Sequence, residues 1–161
     1  MSKIFTPITT VSTANGYENK STISSSRYVL VHNTATVGTD HVIYLVSGNT
    51  FTDATCDYNN DPTVTHDANP KITAADPVLF VSGDGIPAAT FISSITDSTH
   101  FELIRSTTDG AFTNSTLTFT PLVGSFRIPG DESLIIKKGT TDSVYATTTL
   151  IEFTGITITT I

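Results

Sequence analysis

Apolar residues in this chain come in short runs bounded by Gly, Pro, Asn or Asp, and no window carries them at helical spacing over three turns. The pattern predicts strands throughout. Residues 28–32 (YVLVH) and 41–46 (HVIYLV) read as two strands joined by a polar loop at 33–40, and they are expected to pair as a hairpin. Their near-continuous hydrophobicity implies burial on both faces. Residues 50–76, dense in Asp, Asn and Pro, read as a long irregular excursion with room for one short strand. Further strands are expected near 78–82, 90–95, 100–105 and 117–120, the last preceded by a loop at 107–115. From residue 122 the alternation is cleaner: Phe126 and Ile128 point one way, Ser125 and Arg127 the other, as in a half-buried strand. Pro129-Gly130-Asp131 is a turn signal, and strands at 133–137, 143–147 and 150–153 follow, with Gly139-Thr140-Thr141-Asp142 as another turn. Ile156, Ile158 and Ile161 close the chain as an apolar β tail.

The fold expected is an all-β antiparallel sandwich of Greek-key or jelly-roll type with an inserted small β subdomain. Residues 1–26, mostly polar, read as an N-terminal arm; 27–50 and 122–161 would form the sandwich, and 51–121 the insert. Threonine supplies 32 of the 161 residues. It is β-branched and half-polar, which suits the outer face of a strand and disfavours a helix. Only 14% of residues are charged, a composition suited to a surface that packs against neighbours, where charges would need desolvating.

A formal net charge of -7 opposes phosphate binding, so nucleic acid is not an expected partner. No stretch has the ~20 apolar residues of a membrane helix or the h-region of a signal peptide, so no membrane role is expected, and the protein should be made and remain soluble in a cytoplasm. One cysteine, Cys56, excludes an internal disulfide framework and reads as a small buried side chain.

Candidate chemistry is sparse. Asp57-x-Asn59-x-Asp61 reproduces the first three ligand positions of a calcium loop, but Pro62 stands where that loop needs glycine and Ala68 where it needs a bidentate glutamate. Asn and Asp are also turn formers, which is the plainer account, although a looser site adding Asp53 and Asp67 stays open. Cys56 and His66, with His32, His41 and His100 elsewhere, have no zinc-ligand spacing; His32 and His41 would face each other across the expected hairpin. Ser98, His100 and Glu102 alternate on one strand face and so would not converge as a triad. Gly83-x-Gly85 lacks the third glycine and the helix of a dinucleotide loop. No catalytic residue and no cofactor are expected, and the chain does not read as an enzyme.

Two segments resemble known proteins. Residues 80–103, FVSGDGIPAATFISSITDSTHFEL, resemble a short β-module of tailed-bacteriophage structural proteins, in which a G-x-G-I-P-A turn leads to a strand, a polar turn and another strand. Residues 124–156, GSFRIPGDESLIIKKGTTDSVYATTTLIEFTGI, look like the C-terminal half of small all-β virion proteins of such phages, in which an earlier hairpin completes the sandwich. The resemblance implies a virion structural protein, of which a capsid decoration or cement protein is the first reading. A tail, neck or fibre-associated protein is the second, and a calcium- or glycan-binding β module is the alternative outside the virion. The partners implied are the major capsid protein or other virion proteins, with homo-oligomerisation. Contacts are expected from Lys3, Phe5, Ile8, Tyr17 and Arg27 in the arm and from Ile158 and Ile161 in the tail.

Overall fold

The computed structural model describes residues 3–7, 12–13, 26–73 and 78–160, with the backbone alone for 3–7, 12–13 and 160. Among the described residues every regular element is a β-strand, and the sheets are antiparallel. The chain divides into two compact units, residues 1–48 with 123–161 and residues 49–122.

In the first unit β3 (Tyr28–Asn33) lies between β11 (Ser133–Lys137) and β13 (Ile151–Thr160). Two short strands, β1 (Lys3–Pro7) and β2 (Ser12–Thr13), also pair with β13; Lys3 stands opposite Thr160 and Thr13 opposite Glu152. A second sheet sets β4 (His41–Val46) beside β12 (Ser143–Ala146), with β10 (Ala111–Ile128) on its other side. The expected hairpin between the first two apolar runs does not form. Each run finds its partner in the C-terminal half instead, β3 with β11 and β13, β4 with β12, and β3 alternates half-buried and buried positions rather than burying both faces. Val29, Val31, Ile43, Leu45, Ile136, Val144, Tyr145, Ile151 and Phe153 are its main buried apolar side chains, an inventory of the kind that fills a two-layer sandwich.

One polar side chain ties the unit together. Asn33, fully buried at the end of β3, donates from Nδ2 to the Thr39 and Ile128 carbonyls at 2.9 and 3.0 Å, and its Oδ1 accepts the Ala35 N–H at 3.0 Å. Its backbone exchanges hydrogen bonds with Asp131 and Glu132 in the turn after Pro129. A β-carbon on Gly130 in that turn would run into the Thr36 carbonyl, which is why glycine follows the proline there.

In the second unit β10 is followed in order by β5 (Phe51–Asn59), β6 (Thr63–Thr65), β9 (His100–Leu103) and β8 (Ile92–Ile95), with β7 (Leu79–Ser82) also on β10. Two expectations are corrected here. The Asp- and Asn-rich stretch expected to be irregular contains the nine-residue β5, because Asp53 is buried with its carboxylate satisfied by Thr55 and Asn69. The expected loop at 107–115 extends only to residue 110, after which the 18-residue β10 begins. Asn114, at φ 51°, makes a bulge rather than a turn, and Asp57 Oδ1 accepts its amide at 2.7 Å. Phe119 centres the apolar core, stacked on Phe51 at 5.1 Å and edge-on to Phe101 at 5.8 Å between ring centroids.

Candidate interaction surface

β11 is an edge strand: β3 pairs with one side, and among the described residues no strand pairs with the other. Its sequence, SLIIK, puts three apolar residues in a row, so both faces of the strand carry one. Ile136 is buried, whereas Leu134 and Ile135 keep 37% and 38% of their surface exposed. Natural edge strands are usually blunted by charge, proline or a bulge. Here Lys137 closes the strand and nothing interrupts the apolar centre.

The residues singled out from sequence fall in several places. Lys3 and Phe5 lie on β1, and Phe5 stands opposite Ile158 of β13, which brings arm and tail together in one sheet. Arg27 is exposed just before β3. Ile8, Tyr17 and Ile161 lie outside the described residues.

Asp57 and Asn59 end β5, and Asp61 follows in the turn, where Asn60 has φ 53°. Asp57 Oδ1 holds the Asn114 amide and Asp61 Oδ1 the Thr63 amide at 3.1 Å, so each makes a local structural bond. No group of three or more His, Cys, Asp or Glu side chains placed to hold a metal occurs among the described residues.

His32 and His41 lie on strands of different sheets and do not face each other, a consequence of the missing hairpin; His32 Nδ1 instead sits 3.0 Å from Ser133 Oγ. Ser98 is in a turn, His100 Nδ1 is 3.0 Å from Asp97, and Glu102 accepts the Thr63 hydroxyl at 2.9 Å. Cys56 is fully buried, and burial, reinforced by the Asp53 and Asp57 charges, pushes its thiol up to about 12. It stays protonated at neutral pH and is a poor nucleophile.

A polar cluster that the sequence did not single out surrounds His66. Its Nδ1 accepts the Asn69 amide at 3.2 Å, so the proton of the neutral ring sits on Nε2, which is buried without a hydrogen-bond partner among the described residues. Asp53 Oδ2 is 3.7 Å from Nδ1, but desolvation outweighs that charge and holds the histidine below its ordinary 6.5. For Asp53, burial pushes upward but the hydrogen bonds from Thr55 and Asn69 prevail and hold it below 3.8.

Both groups link stability to pH in the same sense. Stability from neutral His66 is complete above pH 6.5 and falls as pH drops toward its folded value; that from ionised Asp53 is lost only as pH falls through its own, below 3.8. Urea unfolding of wild type against His66→Gln should therefore show a shallower loss of stability below pH 6.5 in the variant; equal slopes would show that His66 carries no linkage.

No protein-family model, no curated protein and no solved structure matches the chain.

Proposed function

We propose that this chain is a non-enzymatic virion structural protein of a tailed bacteriophage, and within that class a capsid decoration or cement protein. The observation that carries the reading is the apolar edge strand β11, unpaired on its outer side among the described residues and with Leu134 and Ile135 exposed. Such an edge offers main-chain donors and acceptors and apolar side chains to a neighbouring chain, which is how strand addition joins subunits. The threonine-rich, sparsely charged composition supports the same setting, since little charge must be stripped of water when neighbours close in. The partner is the major capsid protein or another virion protein, with copies of this chain also in contact, and the virion is its location.

The mechanism is mass action. A protein that binds the assembled shell and not its free subunits stabilises the shell by about 2.7 kcal/mol per site at a hundredfold excess over Kd.

Purified protein should co-sediment with heads that lack both tails and this chain. Ile135→Lys should weaken that binding at least about tenfold, through a buried charge in the contact, without altering the circular dichroism. Recovery with isolated tails only would replace decoration by the tail, neck or fibre reading. Tight binding of calcium or a glycan by the free protein, with no binding to either particle, would replace both.

A further inference from the structure

Three of the eight lysine and arginine residues of the chain meet at one end of β3 and β11. Arg27 precedes β3 and Lys138 follows β11, and the Lys138 amide donates to the Arg27 carbonyl at 2.9 Å. Lys137 stands opposite Tyr28 one step inside. Together with Leu45, Val123 and Asp142, these three cations line a groove of about 520 Å³.

None of the three takes part in an ion pair among the described residues. Asp142, the acid on the same wall, turns both oxygens to backbone amides, Oδ2 to Gly139 at 2.8 Å and Oδ1 to Gly48 at 3.3 Å. Lys138 is buried and, among the described residues, its Nζ makes one hydrogen bond, to the Gly139 carbonyl at 3.0 Å, which leaves donor capacity unused there. A buried cation satisfied by a single carbonyl has much to gain from an incoming anion. Burial also draws this lysine below its ordinary 10.5, against the pull of Asp142.

We propose that this groove docks an acidic segment of a partner protein, with its carboxylates against Arg27, Lys137 and Lys138 and an apolar side chain on Val123. Charge complementarity identifies the occupant. The cations are concentrated here in a chain of net charge -7, whose long-range field repels a dense polyanion such as nucleic acid but is a smaller obstacle to a short peptide. Val123, 55% exposed, gives the groove an apolar wall that a small inorganic anion would not use. The groove belongs to the first unit, and its test needs no capsid, so it can stand or fall separately from the virion reading.

The test is fluorescence anisotropy of a labelled hexaglutamate peptide titrated with the full chain at about 50 mM salt, where surface charges act over more than 10 Å. Saturable binding is expected. The double variant Arg27→Gln/Lys137→Gln, which changes two exposed side chains, should weaken it at least about tenfold. Lys71→Gln/Arg105→Gln, which alters net charge equally within the second unit, should leave it within about twofold. No saturable binding, an equal loss in both double variants, or displacement of the peptide by inorganic phosphate at equal charge concentration would each overturn the proposal.

Discussion

Asn33→Ala is expected to lower the unfolding free energy by about 3 kcal/mol and the melting midpoint by roughly 6–12 °C. The side chain makes three hydrogen bonds in a fully buried position, and its removal strands the Ile128 carbonyl and the Ala35 amide where water cannot replace it. A buried backbone group left without its partner costs about 1–3 kcal/mol, more than the bond itself contributes net. Asn33→Asp separates the two halves of the effect, because it keeps the acceptor for Ala35 and loses the donor to Thr39 and Ile128. Circular dichroism against urea reads both variants. A midpoint within error of wild type for Asn33→Ala would show that the turn after Pro129 is held without this residue.

Gly85→Ala should cost the second unit a comparable amount, about 3 kcal/mol, for a different reason. Gly85 has φ +65°, where a β-carbon alone costs roughly 1–2 kcal/mol. The added carbon would also lie 2.5 Å from the Thr108 carbonyl oxygen and 2.7 Å from Phe112 Cε2. Neither neighbour can yield cheaply: the Thr108 amide is bonded to the Gly85 carbonyl at 2.8 Å, and the Phe112 ring is stacked on Tyr58 at 4.9 Å. The Tyr58 hydroxyl in turn donates to the Asp84 carbonyl at 2.7 Å, so displacing the ring strains the turn from two sides. Amide hydrogen exchange should show lost protection in β7 and the first half of β10 while β3 and β11 keep theirs. Protection lost equally in all four strands would count against a local cause.

Local rules carried much of the strand pattern. The strands around residues 79–82, 92–95, 100–103, 133–137 and 143–146 follow from short β-branched and aromatic runs between turn residues, because strand propensity and turn chemistry agree there. The pairing of β3 and β4 was not legible. Two adjacent apolar runs predict a hairpin by proximity, yet the choice between a local and a distant partner rests on contacts about a hundred residues apart, such as Asn33 to Ile128 and His32 to Ser133.

β5 was hidden for another reason. Its Asp53 reads as a loop former until Thr55 and Asn69 are seen to satisfy it, and a strand with a buried carboxylate breaks the apolar pattern that marks strands. The open edge of β11 has the same character. SLIIK announces a strand, but that it borders the sheet follows only from the strand order. The groove at Lys138 was partly visible as the pair Lys137-Lys138, while the arrival of Arg27 beside it depends on the register of β3 against β11.

The burial of Cys56 has a practical consequence. Since it is the chain's one cysteine and its thiol stays protonated far above neutral pH, the folded protein should be almost silent toward maleimides and photoactivatable thiol reagents. A cysteine introduced in place of Ile135 would then be the reactive position on an otherwise unlabelled molecule. Cross-linking from that one atom would mark which neighbour lies along the edge strand in an assembled particle.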